Sequence, residues 1–147
     1  MVNVQNRQRA VRFNVDWLRR FAPIALEKCL SHSADKSFAL RALSEIEVAI
    51  VSDRVIARVH QRFLGMCGPT DVLTFAHGEI VISADTALAN AGRYRQSVDE
   101  EIALYTVHGL LHLNGFEDAT LRDAARLRTV QNRIMKFCLS QLPPPNP

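Results

Sequence analysis

The chain reads as an α+β domain with an α/β-like order: a small mixed sheet of about four strands covered by about five helices. Three observations predict this. Short apolar runs at Ile46–Val51, Val72–Phe75 and Glu79–Ile82 have the length and β-branched content of strands. Longer runs of helical period separate and follow them. One of these, carrying Ile102, Leu104, Tyr105, Val107, Leu110 and Leu111, is apolar on nearly every side and is expected to be a buried central helix.

Val2 and Val4 alternate with polar residues, as do Val11, Phe13 and Val15, so either stretch can supply the first strand. Asp16 precedes an amphipathic run in which Leu18, Phe21, Ile24 and Ala25 share a helical face. Pro23 inside that run predicts a kink. Ser31 to Ser37 is polar and reads as a loop. In the next strand Ile46, Val48 and Ile50 alternate with Glu47, Ala49 and Val51. Ser52 is a favourable N-cap for a helix over Asp53 to about Leu64. There Val55, Val59 and Phe63 are spaced by four and are expected to face the core. Arg54, Arg58 and Arg62 form a second stripe, which on spacing alone fits an ordinary solvated face.

Gly65 to Pro69 reads as a loop, and His77-Gly78 joins the next two strands as a tight hairpin, making His77 a turn residue. His32 and His60 read as surface positions. An Ala-rich helix runs from Ser83 or Ala84 to about Arg95. Ser97 and Glu100 form a capping box that opens the buried helix, and Thr120 with Asp123 forms another. The last helix carries Leu127, Val130, Ile134 and Phe137 on one face, with Arg122, Arg126, Arg133 and Lys136 elsewhere. Pro143 to Pro147 cannot be helical and is expected to be a disordered tail, leaving residues 1–142 as one domain.

At 147 residues and 48% hydrophobic content the chain can bury a full core. A formal net charge of +3 admits an anionic partner without demonstrating one. Cys29, Cys67 and Cys138 are scattered and odd in number, which suggests reduced thiols in a cytoplasmic protein; Cys67 is a weak candidate ligand with no second cysteine near it. No apolar run approaches the roughly 18 residues of a membrane span, and the start of the chain lacks a signal peptide's apolar region.

The stretch with chemistry in it is His108-Gly109-Leu110-Leu111-His112, followed by Gly115, Phe116, Glu117 and Asp118. On a helix, residues four apart share a face with Cβ atoms roughly 5–6 Å apart. Two imidazoles so placed can reach one cation at about 2.0–2.1 Å. Gly115 is a natural helix stop, after which the chain can double back and offer Glu117 or Asp118 as a third ligand. Two histidines and a carboxylate, with a fourth position left to water, form a catalytic rather than a structural zinc pattern. Two histidines can also fall four apart by chance. The peptidase pattern H-E-x-x-H is absent, because Gly109 stands where its Glu would be.

Three segments in order, Pro69-Thr70-Asp71-Val72-Leu73-Thr74-Phe75, Gly78-Glu79-Ile80-Val81-Ile82-Ser83 and His108 to Phe116, together resemble the YbeY family of bacterial endoribonucleases, the ribosomal RNA maturation factors. That family reads P-T-D-V-L-S-F, G-D-I-V-I and H-G-x-L-H-L-x-G-Y-D-H. The resemblance spans about Ile46 to Asp118, with Val2–Asn6 similar to the family's first strand. It implies a compact mixed-sheet fold and a single metal, usually zinc, at His108, His112 and Asp118. It also implies metal-dependent, single-strand-type endonucleolytic cleavage of RNA at the 3′ end of small-subunit ribosomal RNA, with a part in ribosome quality control. The implied partners are ribosomal RNA, the small subunit and its proteins or assembly factors, with no membrane.

Two departures stand out. Asp118 replaces the family's third histidine; a carboxylate ligand could favour a harder ion such as Mn²⁺ over Zn²⁺. Glu117 matches the family's Asp and is the alternative ligand or a partner of one. Leu64 stands where the family carries a functional arginine. Arg62 is then the candidate catalytic arginine beside His108 and His112, although it lies about 200° around the helix from Leu64. Under the resemblance, Arg54, Arg58 and Arg62 become candidate contacts to the RNA backbone. The rival expectation is a ribosome-associated assembly factor that keeps fold and metal but cuts nothing. A metallopeptidase is disfavoured by Gly109.

Overall fold

The computed structural model describes residues 1–32 and 39–145. Its elements are β1 (Val2–Asn6), α1 (Val15–Leu30), α2 (Ala39–Ala42), β2 (Ile46–Val51), α3 (Asp53–Leu64), β3 (Val72–Phe75), β4 (Glu79–Ser83), α4 (Ala84–Tyr94), α5 (Val98–Leu113) and α6 (Leu121–Ser140). The sheet order is β1-β2-β4-β3. β1, β2 and β4 are parallel, and β3 returns antiparallel to β4 with Val72 opposite Ile82 and Phe75 opposite Glu79. This is the α+β fold with a small mixed sheet that the patterning predicts, with six helices among the described residues. The additional one is the four-residue α2, too short to leave a periodic signal.

β2 and β4 carry apolar side chains on both faces beyond Glu47 and Glu79 near their starts, because both of their faces are covered. Val48, Ile50, Ile80 and Ile82 enter the main core beneath α1, α5 and α6. Ala49, Val51 and Val81 point the other way, into a smaller core with Ile56 and Leu73. α5 lies across the main core, with Ile102, Val107, Leu110 and Leu111 at 0% exposure. Its start is fixed by the Ser97 hydroxyl, which accepts from the Glu100 N–H. Gly109 marks the close approach of α5 to the sheet: a Cβ there would lie 2.8 Å from Ile80 Cγ2.

Several expectations change. β1 is Val2–Asn6, whereas Val11 and Phe13 form no strand and Val15 already begins α1 behind the Asn14 cap. α1 runs as one helix through Pro23, which sits on an exposed face. The four-residue stripe on α3 does not stay in the core: Ile56 is buried, Val55 and Val59 are half-buried, and Phe63 is 62% exposed. Eight residues advance a helix by about 80° beyond two full turns, which carries Phe63 out of the small core to the sheet edge, where its ring meets Phe75.

The C-terminal prolines do not hang free as far as they are described. The Pro143 carbonyl accepts from Trp17 Nε1 at 2.9 Å, the Pro145 carbonyl accepts from Asn14 Nδ2 at 2.8 Å, and Pro145 is buried. Proline cannot continue a helix, but its carbonyl remains an acceptor, and here two of them hold the Asn14 and Trp17 side chains at the start of α1. Residues 146–147, and the loop expected over Ser31 to Ser37 from position 33 onward, lie outside the described residues.

Candidate metal centre

α5 ends where the metal motif predicts. Asn114 caps it, and its side-chain amide donates to the Cys29 carbonyl at 2.9 Å and to that of His32, tying the end of α5 to the end of α1. Gly115 follows at φ +91°, the left-handed region that favours glycine, and turns the chain back. Phe116 is then buried as a plug, with its N–H donating to the Leu111 carbonyl at 3.0 Å. This turn delivers Asp118 to the two histidines.

His108 Nε2 and His112 Nε2 stand 3.0 Å apart. Asp118 Oδ2 lies 3.8 Å from the first and 3.6 Å from the second. One ligand atom from each residue falls within 4.8 Å of the others. Ligands at about 2.0–2.1 Å from a tetrahedral ion stand roughly 3.3 Å from each other, so the spacing needs adjustment of only a few tenths of an ångström.

The tautomers fit a metal as well. His108 Nδ1 donates to Gln131 Oε1 at 2.8 Å, and His112 Nδ1 donates to the Phe116 carbonyl at 2.9 Å. Each ring therefore keeps its lone pair on Nε2, and the two lone pairs face each other. A proton shared between them would require one ring to be charged. Burial, and then the neighbouring His108, push the His112 pKa down, which opposes that charge. A cation bound by both nitrogens satisfies the pair.

The cluster opens into a cleft of about 700 Å³, walled on one side by Asp71, Val72, Leu73, Thr74 and Ala76 and on the other by the turn from Gly115 to Asp118. The Pro69–Phe75 motif thus builds the wall facing the metal ligands. Asp71 Oδ1 accepts from the Val72 N–H at 2.8 Å and sets the start of β3.

The other predicted residues are placed as follows. Glu117 lines the cleft and is exposed, outside the three-residue cluster. Arg54, Arg58 and Arg62 are exposed on α3, and none of them lines the cleft. Leu64 is 54% exposed at the end of that helix. Cys67 is exposed, and its thiol points to Gln61 Oε1 at 3.6 Å. His77 is an exposed turn residue, while His32 and His60 are half-buried with Nδ1 against the Lys28 and Gly68 carbonyls.

Two residues of α6 were not singled out by the motifs. Gln131 orients His108, and Arg128 shares a 220 Å³ cavity with His108, Asp118 and Gln131. The available signal was the spacing of Ala124, Arg128 and Gln131, which puts a small and two polar residues on one face of α6. Gln131→Leu should weaken metal binding by about 10- to 100-fold while leaving the fold intact, measured by competition with a chromogenic chelator.

With the geometry established, comparison with known proteins assigns the family. The family model described as endoribonuclease YbeY matches residues 3–138. The chain belongs to the YbeY family. A relative from Moorella thermoacetica named endoribonuclease YbeY is 32% identical over 111 residues, 63% of this chain and 71% of that one. Another from Chloroflexus aurantiacus is 36% identical over 109 residues, covering 62% and 71%. A third from Symbiobacterium thermophilum is 29% identical and covers 90% and 93%. A solution structure of a protein from Thermotoga maritima superposes with a TM-score of 0.66 over 96% of this chain and 91% of that one, at 20% identity, and shares the fold. YbeY proteins are metalloenzymes, and the His-His-Asp group is a set of residues able to bind a metal ion.

Proposed function

We propose that His108, His112 and Asp118 hold one divalent ion and that the cleft around it is the site where the protein cuts RNA. The class of activity comes with the family: a metal-dependent endoribonuclease that works in ribosomal RNA maturation. The observation that carries the site assignment is the pair of Nε2 lone pairs 3.0 Å apart, each fixed by an Nδ1 bond on the far side of its ring, with the Asp118 carboxylate closing the group. Zn²⁺ suits two imidazoles and one carboxylate; the oxygen ligand in place of a third histidine also admits Mn²⁺.

A divalent ion bound here would lower the pKa of its water towards 7 and offset charge on a phosphoryl oxygen. The protein's own part is positional. Gln131 and the Phe116 carbonyl keep both imidazoles in the ligating tautomer. Asp118 is half open to solvent, at 52% side-chain exposure, so the centre can be reached from the cleft. Arg128, lining a cavity with His108 and Asp118, is the guanidinium we assign to the phosphoryl oxygens in place of the arginine that Leu64 displaces. Arg54, Arg58 and Arg62 offer contacts to the RNA backbone away from the centre. The substrate is ribosomal RNA, met at the small ribosomal subunit.

The exposed Leu64, and the absence of any α3 arginine from the cleft lining, favour one second reading: an assembly factor that binds RNA without cutting it. Purified protein incubated with a defined single-stranded RNA separates the two. The enzyme reading expects cleavage that stops on chelation and returns with added Zn²⁺ or Mn²⁺. RNA binding with no cleavage under any divalent ion would establish the assembly factor instead.

A further inference from the structure

The end of α3 lies at the β3 edge of the sheet, and every residue from Gln61 to Pro69 is exposed. Phe63 is 62%, Leu64 54% and Met66 56% exposed, a run of large apolar side chains with no core role. Phe63 belongs to an aromatic ladder. Its ring stands edge-on to Phe75 with centroids 5.7 Å apart and planes at 71°. Phe75 stacks on His77 at 5.8 Å and 19°. The Arg62 guanidinium lies 5.6 Å from the Phe63 centroid.

The ladder is anchored inside and open outside. Phe75 packs against the smaller core, where Val55 and Val59 also pack. The His77 side chain is 70% exposed, with Nε2 3.6 Å from Glu79 Oε1. Ala76, between Phe75 and His77, lines the metal cleft. β3 is an edge strand whose residues Val72 to Thr74 line the cleft and whose last residue, Phe75, belongs to the ladder, so the two adjoin along it.

We infer that the Phe63, Phe75 and His77 ladder is a stacking platform for one or two unstacked bases of single-stranded RNA, whose backbone continues past Ala76 to the metal centre. This rests on the RNA-cleaving reading, which already expects a single strand, and assigns the surface that holds its bases. Three observations favour RNA over an apolar protein surface. Exposed Arg62 adjoins the Phe63 ring, and Arg58 one turn back on α3 is also exposed, cations that match a phosphate backbone. A protein partner covering Phe63 would have to desolvate the Arg62 guanidinium packed on it. The platform is also continuous with the cleft. Stacking needs a free base face, which a duplex does not present, so the platform selects single strands.

The test is fluorescence anisotropy of a labelled single-stranded oligoribonucleotide on the full-length, metal-loaded protein. Phe63→Ala should weaken binding by about 5- to 100-fold, and Phe63→Trp should restore it. The new indole should be quenched by RNA, while Trp17, the only native tryptophan and 1% exposed, should not. Blunt duplex RNA should bind both variants and the parent alike. Parental affinity of Phe63→Ala for the single strand, with chelator-sensitive cleavage intact, would overturn the platform alone and leave the patch to a protein partner. No binding of single-stranded RNA by the parent protein would overturn both the platform and the RNA-cleaving reading.

Discussion

Replacing His108 and His112 together by Ala is expected to reduce metal content to background and RNA cleavage by at least about 10³-fold. The size of the effect follows from the geometry. Each histidine supplies a nitrogen whose orientation is already fixed from behind, so neither can be replaced by a swinging neighbour. Glu117 lies in the cleft, but a lone carboxylate with Asp118 lacks the nitrogen donors that hold zinc. The fold should survive, because both histidine side chains are 26% exposed and stand at the wall of the cleft. The helical circular-dichroism signal should therefore be unchanged while metal and activity fall together. Full cleavage by the metal-free double variant would sink the assignment.

Gly109→Ala is expected to destabilise the protein by about 1–3 kcal/mol, although alanine is the better helix former. Two effects compete. Helix propensity favours Ala by roughly 0.8–1.0 kcal/mol. Against it, the new Cβ would lie 2.8 Å from Ile80 Cγ2, 2.9 Å from Cδ1 and 3.0 Å from Cγ1. Ile80 is β-branched, fully buried and held in the strand between β2 and β3, so it has nowhere to retreat. The overlap wins, and α5 must lift from the sheet one residue away from His108. Metal affinity should fall with stability. Ile80→Ala removes all three crowded atoms, so the double variant should be less destabilised than the sum of the two singles, by about 0.5–3 kcal/mol in a denaturant cycle. Strict additivity would contradict the contact. Gly109→Glu, which would create the peptidase spacing, drives a longer side chain into the same isoleucine; the packing itself explains why that motif is absent.

The sheet and the buried helix were readable because burial on both sides leaves β2 and β4 with apolar residues on both faces and α5 apolar on nearly every side beyond its acidic first turn. The helix starts were readable because capping is local: Ser52, Ser83, Ser97 and Thr120 each accept from an N–H three residues on. The pairing of His108 with His112 was also within reach from helical spacing, and the Gly115 turn offered Glu117 or Asp118 as the third member, between which the resemblance to the YbeY motif chose Asp118. Gln131 was not, because it meets His108 only after α6 packs beside α5, 23 residues along the chain. Phe63 was misplaced for a similar reason. Periodicity says which residues share a face, but not where the sheet beneath that face ends. The docked Pro143 and Pro145 carbonyls show a third case: composition excludes a helix there, yet says nothing about acceptors reaching Trp17 and Asn14.

The measurement that bears most directly on the central claim is elemental analysis of the native protein beside Asp118→Ala, both purified without chelators. The expected result is about one divalent ion per chain in the native protein and a clear loss in the variant, since the carboxylate is the third member of the cluster. A native protein that carries no ion and takes none up on dialysis against Zn²⁺ or Mn²⁺ would contradict the metal centre. An Asp118→Ala protein with full metal content would contradict the place of Asp118 in it.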